Sequence, residues 1–375
     1  MMASASAPPA APAPPPAPSS SSGASRKDRF VAHVLAGYKL EGVSVGGQET
    51  CLVFPQLKLA FDAGRCPQRC VYADTMCVTH THMDHVGGAG FYVATRQLIS
   101  LPPPTLVLPA ERVRAFEAFM DGMRELDGSD MPHRTVAMKP LSAAAGPSSS
   151  SSLSGEEGGG EGEGERGARS DDPNALAPDD DDAAARDPQT REPQTPPEWC
   201  AEHRIGKTLV VRAFRTTHPV PSQGYVAYSR KEKLLDEFKN LGGAEIGERR
   251  RKGERVTRTV EVPEVAFTGD TTAEWIDRAV RGEDSVAADA LRAKVLCCEC
   301  TFVDDRASPE DARRYGHTHL DELVDRAGAF ERCEAVLLMH FSARYKAHQV
   351  REALDAKLPG GLREKVTPML VGFEP

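Results

Sequence analysis

Four side chains of the kinds that bind metal ions lie within six residues of one another. Residues 79–85 read Thr-His-Thr-His-Met-Asp-His and contain the pattern H-x-H-x-D-H. A short apolar run precedes this segment and Gly87-Gly88 follows it, which predicts a buried strand that ends in a loop and continues as a helix. Zinc binds imidazole nitrogen and carboxylate oxygen, and two-metal hydrolytic sites hold their ions about 3.5–4 Å apart. The spacing therefore predicts two metal ions, with the candidate ligands His80, His82, Asp84 and His85.

The predicted strands of the second half of the chain also end in residues that can bind metal or transfer protons. Strands over residues 208–214, 265–267, 294–298 and 335–339 are followed by His218, Asp270, Glu299 and His340. In layered α/β folds such strand ends converge at one rim of the sheets. The simplest assignment divides seven ligands between two ions: the first binds His80, His82 and His218, the second binds Asp84, His85 and His340, and Asp270 bridges them.

A centre of this kind performs hydrolysis. Water held between two zinc ions is acidified and acts as hydroxide near neutral pH, and the ions stabilise the charge that develops on the attacked group. Phosphodiester hydrolysis fits this architecture, and so does the hydrolysis of thioesters and lactams. The ligand set alone therefore does not identify the substrate.

The net charge of −9 belongs mainly to one segment. Between Ser151 and Cys200 the chain has 14 Asp or Glu and 4 Arg, a local charge of −10, so the remainder carries +1. The acidic character of the whole chain is thus no argument against an anionic substrate.

Composition also disfavours the membrane and secretory classes. No apolar run approaches the ~20 residues that a membrane helix needs. The nine cysteines are odd in number and irregular in spacing, and we expect no secretory signal. Free thiols, including Cys66 and Cys70, are therefore predicted rather than a disulfide framework.

The chain divides into a folded body and two low-complexity segments. Residues 1–28 are rich in Ala, Pro and Ser and are predicted to be disordered, with a targeting sequence as the alternative. Residues 29–375 are predicted to form one catalytic domain, interrupted by an acidic low-complexity insertion at 142–197 and a charged arm at 231–263. The insertion is not a domain boundary, because candidate ligands lie on both sides of it, and closure entropy grows slowly with loop length.

Hydrophobic periodicity places the regular elements of the body. It predicts helices over 90–100, 110–126, 317–330 and 347–358. Short β-favouring runs predict strands over 50–54, 57–61, 76–79, 105–108 and 226–229, besides the four above.

Further motifs surround the later candidate residues. They are His218-Pro-Val-Pro-Ser-Gln-Gly224-Tyr225, Phe267-Thr-Gly-Asp270-Thr271, Glu299-x-Thr301-Phe302, Gly316-His317 and His340-Phe-Ser-x-Arg344-Tyr345. The ligand order resembles that of the metallo-β-lactamase superfamily, and these motifs resemble tRNase Z, the endonuclease that removes the 3′ trailer from precursor tRNA. Residues 42–50 and 92–96 are similar to the short-form enzymes of plants and green algae.

The resemblance implies an α/β fold, a four-layer αβ/βα sandwich, with two Zn²⁺ per subunit held by the seven residues named above. It implies that Asp84 binds metal and takes a proton from the attacking water, that His317 protonates the leaving 3′ oxygen, and that Glu299 orients His317. The family's usual His-Ser-Thr is replaced here by His317-Thr318-His319, so His319 stays an alternative acid. Cys298 stands where a histidine is usual.

The resemblance also places a substrate-gripping arm after the third metal histidine and implies a homodimer. Residues 231–263 occupy that position, and a solvated helix face is the alternative reading of their charges. Arg344 is expected to contact a phosphate, with a structural salt bridge as the alternative. The arm's candidate phosphate contacts are Arg249, Arg250, Arg251 and Lys252.

We therefore predict a zinc-dependent endoribonuclease that cleaves the 3′ trailer from precursor tRNA by attack of metal-activated water on a phosphodiester. We expect a cytoplasmic or nuclear location, with the plastid as the alternative. A hydrolase of a small ester or thioester on the same fold would leave the arm unexplained. A catalytically silent RNA- or protein-binding relative is disfavoured by the complete ligand set.

Overall fold

A computed structural model describes residues 33–141 and 198–374. The tail at 1–28 and the insertion at 142–197, both predicted to be disordered, lie outside these residues. Within the described ranges no helix is long and apolar enough to cross a membrane. All nine cysteines fall inside these ranges and are free thiols, as predicted.

The first sheet consists of seven strands that are hydrogen-bonded in chain order. They are β1 His33–Leu35, β2 Tyr38–Val45, β3 Glu49–Phe54, β4 Leu59–Phe61, β5 Thr75–Cys77, β6 Thr105–Pro109 and β7 Arg134–Met138. Strands β1 to β4 pair antiparallel, and β4 to β7 pair parallel.

The second sheet also has seven strands, again adjacent in chain order. They are β8 Glu202–Ile205, β9 Leu209–Arg215, β10 Gln223–Leu234, β11 Thr257–Phe267, β12 Val295–Glu299, β13 Ala335–Met339 and β14 Val366–Pro368. Strands β8 to β11 pair antiparallel, and β11 to β14 pair parallel. Each sheet therefore has one antiparallel half and one parallel half.

The helices of the described ranges lie between the strands. They are α1 Met83–Val86, α2 Ala89–Leu98, α3 Val113–Asp127, α4 Gly243–Arg251, α5 Glu274–Val280, α6 Ser285–Ala290, α7 Pro309–Arg314, α8 Leu320–Asp325, α9 Ala347–Lys357 and α10 Gly360–Arg363. In α3 the side chains of Val113, Phe116 and Met120 recur at helical spacing and are buried, which makes this face a packing surface.

Three hydrophobic cores separate four layers. One core lies between the first sheet and α2 and α3, and a second lies between the two sheets. A third lies between the second sheet and the helices α5, α6, α8, α9 and α10. In the middle core Phe61 stacks on Phe267, with ring centroids 4.8 Å apart and an interplanar angle of 6°. Such a pair contributes about 0.5–1.5 kcal/mol beyond its area burial. The predicted αβ/βα sandwich is confirmed.

The charged segment at 231–263 forms the end of a long hairpin. Strand β10 continues to Leu234 and β11 begins at Thr257, so both strands are longer than predicted, and α4 lies between them. Charged side chains occupy both faces of residues 230–233, so the alternation that marks a half-buried strand is lost there.

Two helices begin later than their sequence pattern predicted. The segment at 110–126 starts with a single 3-10 turn, and α3 begins at Val113. The segment at 317–330 becomes helical at Leu320, because the side chain of His319 caps the helix by accepting from the Asp321 N–H.

Candidate metal centre

Loops at one rim of the sandwich carry the predicted site residues. Strands β4 and β5 are parallel, and so are β11, β12 and β13, so their carboxyl ends share an edge. Strand β9 runs in the same direction as β11, because both are antiparallel to β10. The structure thereby brings together all seven predicted ligands.

The possible ligand atoms form five overlapping clusters of three among the described residues, and two of these clusters coincide with the two predicted sets. In each group the three ligand atoms lie within 4.8 Å of one another. The first group is His80, His82 and His218, and the second is Asp84, His85 and His340.

Asp270 lies between the two groups. Its Oδ2 atom is 3.3 Å from Nε2 of His85 and 3.3 Å from Nε2 of His340. The same oxygen is 3.8 Å from Nε2 of His80, which belongs to the other group. This carboxylate therefore lies close to histidines of both groups.

Several of the facing atoms are buried without a partner. Among the described residues, Nε2 of His80, His85 and His340 and Oδ1 of Asp270 accept or donate no hydrogen bond. A buried polar atom without a partner costs about 1–3 kcal/mol. Divalent cations bind imidazole nitrogen and carboxylate oxygen, so this donor set fits a metal centre.

The protonation states also suit ligation. Burial lowers the pKa of His80 and of His218, which keeps both imidazoles neutral with a free lone pair. Burial alone would raise the pKa of Asp270, but the charges of His340 and His85 outweigh it and hold that pKa well below its usual value. Burial alone would lower the pKa of His85, but the charges of Asp270 and Asp62 outweigh it and raise that pKa well above its usual value. Neutral imidazoles and ionised carboxylates are the forms that bind metals, so a cation that binds His85 displaces its proton.

Asp62, which the sequence analysis missed, orients His85 directly and His80 through Thr79, in both cases at the Nδ1 side of the ring. Its buried Oδ2 is 2.8 Å from Nδ1 of His85 and 2.9 Å from Oγ1 of Thr79. Because a carboxylate accepts only, Thr79 donates its one hydroxyl proton to Asp62 and accepts from Nδ1 of His80, 3.0 Å away. His80 and His85 thus carry their protons on Nδ1 and present Nε2 to the site.

Glu299 has the same arrangement in the second half of the chain. Its buried carboxylate accepts from Oγ1 of Thr301 at 2.8 Å, and that hydroxyl lies 3.0 Å from Nδ1 of His340. By the same reasoning His340 carries its proton on Nδ1 and presents Nε2. The other Glu299 oxygen accepts from Nδ1 of His317 at 3.2 Å.

His317 borders the metal centre and stays reachable from solvent. Its side chain is 18% exposed, and its Nδ1 is 4.0 Å from the Asp270 carboxylate. Burial alone would lower the pKa of His317, but the charges of Glu299 and Asp270 and the Glu299 hydrogen bond raise it to about 9. The imidazole therefore holds a proton that it can give away near neutral pH.

His319 does not face the metal centre with a free nitrogen; its ring is hydrogen-bonded within the fold. It is buried, its Nδ1 accepts from the Asp321 N–H, and its Nε2–H donates to the Asp304 carbonyl. Both nitrogens are occupied, so the geometry favours His317 as the acid. Cys298 is buried in the core under the helices and takes no part in the site.

Two close backbone approaches require glycine. Gly269 has φ +61°, and a Cβ there would lie 2.5 Å from Cβ of Thr79. Gly316 has φ +77°, a Cβ would lie 2.4 Å from Cδ of Pro219, and its carbonyl accepts from Nδ1 of His218. A side chain at either position would displace a loop that carries a ligand.

The predicted basic residues of the arm lie far from this centre. The β10–β11 register pairs Tyr225 with Phe267 at the metal rim and Leu234 with Thr257 at the other end, where α4 begins to form the tip. Nine steps of about 3.3 Å separate the two ends, so α4 is about 30 Å from the metal rim.

The four arm residues differ in their partners. Arg249 pairs with Glu254 at 3.0 Å, and Lys252 pairs with Glu248 at 2.7 Å. Arg250 and Arg251 are exposed and form no ion pair within the described ranges. Arg344 lies close to the centre, in the wall of a cavity that reaches His317 and His340.

We predict that Thr79→Val weakens metal binding by roughly 10–100-fold, because the hydroxyl that fixes the proton on Nδ1 of His80 is lost. Competition with a chelator, combined with elemental analysis of the metal retained, measures the change. Thr79→Ser keeps the hydroxyl and serves as the control. Equal affinity in Thr79→Val and the unmodified protein would refute this role.

Comparison with known proteins gives relatives that share most of the chain, although no family model matches it. The tRNase Z TRZ1 of Arabidopsis thaliana is 38% identical over 339 residues, which cover 90% of this chain and 97% of the relative. The chloroplastic tRNase Z TRZ2 of the same plant is 35% identical and covers 90% of this chain and 77% of its own length. The nuclear ribonuclease Z of Triticum aestivum is 35% identical over 226 residues, 60% of this chain and 95% of the relative.

Solved structures align more distantly. The metallo-β-lactamase fold protein YhfI from Bacillus subtilis has a TM-score of 0.49 at 14% identity, covering 90% of this chain and 98% of that one. The short form of human tRNase Z has a TM-score of 0.45 at 16% identity, covering 81% and 93%. The identity and coverage of the plant relatives decide the assignment: the chain belongs to the tRNase Z family.

Proposed function

We propose that this protein is a metal-dependent endoribonuclease that removes the 3′ trailer from precursor tRNA. The observation that carries the proposal is a convergence of two groups of metal-binding side chains, with His317 held beside them by Glu299. Membership of the tRNase Z family supplies the substrate class. A site for a small ester would need neither the proton donor at this place nor an arm that extends far from the chemistry.

The centre is proposed to hold two Zn²⁺ per subunit. Imidazole-rich sets completed by carboxylates suit zinc. When bound, the ions supply an acidified water and neutralise charge on the phosphate. The proposed ligands are His80, His82 and His218 for the first ion, Asp84, His85 and His340 for the second, and Asp270 for both.

Asp84 is proposed to take the proton of the attacking water. Its carboxylate is 20% exposed, whereas that of Asp270 is 3% exposed, so Asp84 is the more accessible of the two. Burial alone would raise the pKa of Asp84, but the His340 hydrogen bond and the His85 charge lower it. The group is therefore ionised at neutral pH and free to accept a proton.

His317 is proposed to protonate the leaving oxygen. A departing ribose 3′ oxygen is a poor leaving group unless it receives a proton, and the imidazolium beside Glu299 can supply one. The products are a 3′-hydroxyl on the tRNA and a 5′-phosphate on the trailer.

Cleavage of a precursor tRNA that carries a 3′ trailer tests the function directly. With zinc, the purified protein is expected to cut just after the discriminator nucleotide, and His317→Ala is expected to slow this cut by roughly 10²–10⁴-fold with its zinc retained. On bis(4-nitrophenyl) phosphate the same variant should lose far less, since 4-nitrophenolate leaves without a proton.

Three results would count against this assignment. Failure of the unmodified protein to cut the precursor would refute the endonuclease, and hydrolysis of a thioester in its place would point to the alternative function. Equal losses of His317→Ala on both phosphodiesters would remove it as the acid. The same pattern in His319→Ala would transfer the role to that residue.

The arm is proposed to hold the RNA backbone about 30 Å from the chemistry, through Arg249, Arg250, Arg251 and Lys252. Arg344 is proposed to contact a phosphate near the scissile bond, because its guanidinium is exposed beside His317 and forms no ion pair with the described residues. Cations on phosphates give binding that weakens with salt, and recognition of a folded RNA by shape needs no base contacts.

We predict that the double variant Arg250→Gln/Arg251→Gln binds precursor tRNA more weakly and lowers the slope of log affinity against log salt by about 2. Filter binding over a salt series measures both quantities. The charge-matched control is Arg114→Gln/Arg332→Gln, two exposed arginines outside the arm. An unchanged slope in the arm variant would show that these charges do not contact phosphates.

A homodimer is proposed because an apolar surface is exposed next to the centre. On α1 and α2, Met83 is 61% exposed, Phe91 is 62% exposed and Leu98 is 83% exposed. Such side chains mark contact surfaces when they cluster.

Phe91→Glu/Leu98→Glu is expected to give a monomer by light scattering after gel filtration, because charges on this face oppose its burial. Val280 is 67% exposed on α5, so Val280→Glu is the control and should stay dimeric. A monomeric unmodified protein would refute the dimer, and a dimeric double variant would refute this surface.

The proposed location is the cytoplasm or nucleus, with the plastid as the alternative. The relatives include one named chloroplastic and one named nuclear. Imaging of the full chain fused at its C-terminus separates these compartments.

A further inference from the structure

A cavity of about 560 Å³ opens beside the proton donor of the metal centre. His317 and His340 form its inner wall. Its remaining walls include the rings of Phe302 and Tyr315 and three arginines, Arg306, Arg314 and Arg344. Gly46 and Gly47 of the β2–β3 turn leave its edge free of side chains. Cavities of roughly 300–1,000 Å³ hold compact ligands.

The proposed reaction determines which part of the RNA lies here. The water oxygen forms a bond to phosphorus, the bond from phosphorus to the 3′ oxygen breaks, and His317 gives its proton to that oxygen. The 3′ oxygen belongs to the nucleotide upstream of the cut. Because His317 is part of the cavity wall, the upstream nucleotide is the one that faces the cavity.

We propose that this cavity is the subsite for the single unpaired nucleotide between the acceptor stem and the cut. Its base stacks on the ring of Tyr315, and Arg344, which forms no ion pair among the described residues, neutralises the adjacent backbone. Arg314 and Arg306 are paired with Asp311 and Asp304, and they support Tyr315 and Arg344. This inference rests on the proposed function. It adds a stacking residue, Tyr315, and two supporting cations, Arg306 and Arg314, to the residues discussed above.

Tyr315 is oriented by its neighbours and still accessible. Its side chain is 51% exposed. The guanidinium of Arg314 donates to its hydroxyl at 3.0 Å, and the Asp311 carboxylate holds that arginine at 2.9 Å. A ring fixed in this way offers a stacking surface at low entropic cost, and stacking with aromatic side chains is how proteins commonly hold unpaired bases.

Arg306 and Arg344 of the cavity wall differ in whether their guanidinium groups are already paired. Arg306 pairs with the Asp304 carboxylate at 3.2 Å, packs over the ring of Tyr345 at 5.0 Å and donates to the Arg344 carbonyl at 3.1 Å. It thereby supports the backbone that carries Arg344, whose own guanidinium forms no ion pair among the described residues. The cavity therefore combines an oriented ring with a free positive charge, as sites for single-stranded nucleic acids do.

The subsite is tested by binding of two RNA hairpins that mimic the cleaved product. One ends in a single unpaired 3′ nucleotide, and the other is blunt. The zinc-loaded protein is expected to bind the first more tightly by roughly 5–150-fold, and Tyr315→Ala is expected to remove that preference, as measured by fluorescence anisotropy. Tyr315→Phe keeps the ring and should restore most of it.

Tyr72 is a tyrosine of similar exposure, 55%, in the other half of the chain, so Tyr72→Ala is the matched control. Equal binding of both hairpins by the unmodified protein, or a preference that survives in Tyr315→Ala, would overturn the subsite. If the unmodified protein also fails to cut precursor tRNA, the proposed function falls with it. If the cut is made and the preference is absent, the subsite alone is wrong.

Discussion

The centre depends on two buried carboxylates that must stay fully hydrogen-bonded. A carboxylate removed from water is stable only when its oxygens accept several hydrogen bonds. Glu299 accepts from the N–H groups of Thr271, Thr301 and Thr318, besides the Thr301 hydroxyl and His317. Its desolvation therefore ties together the loop after β11, the end of β12 and the segment before α8.

Asp62 meets the same requirement in the first sheet, and the two halves of the chain share one arrangement of carboxylate, threonine and histidine side chains. Each carboxylate binds one histidine directly and a second through a threonine hydroxyl: Asp62 holds His85 and, through Thr79, His80. The proton positions of the imidazoles are thus fixed by the protein before a cation binds. A cation would then meet Nε2 of His80, His85 and His340, which have no hydrogen-bond partner among the described residues.

Docking of the two sheets sets the distance between these halves. The Tyr225 hydroxyl of β10 donates to the Val78 carbonyl at 2.7 Å, and the Gln223 N–H donates to the Thr79 carbonyl at 3.0 Å. These bonds cross from the second sheet to the residues directly before His80. A change in the angle between the sheets would therefore move His218 and His340 away from the ligands that follow β5, which would split both ligand groups. The packing of the core and the geometry of the centre are therefore coupled.

The sequence could predict which candidate ligands the fold brings together because their pattern is local: four lie in one short segment, and the others each follow an apolar strand. Their role as ligands stays a prediction. Asp62 also follows a strand, β4, but that strand has three residues and no motif around it, so nothing distinguished it from a turn residue. The sequence left open whether His317 or His319 is the proton donor, because both follow Gly316. Their environments differ only through contacts with residues distant in the chain, which the structure shows. The sequence did not predict the hairpin of the arm, because the ends of its strands are exposed on both faces. Such strands lack the alternation of apolar and polar residues by which a half-buried strand is predicted.

The separation between the arm and the cavity has a consequence for how a substrate is chosen. The proposed contacts lie about 30 Å apart along the β10–β11 strand pair, so an RNA whose helical part spans that distance without bending would satisfy both. The proposed stacking of the unpaired nucleotide would then fix the register of the cut at the junction between duplex and single strand. Since stacking tolerates every base, such an arrangement would select a shape and a junction, and the position of cleavage would follow from RNA architecture rather than from the sequence of the trailer.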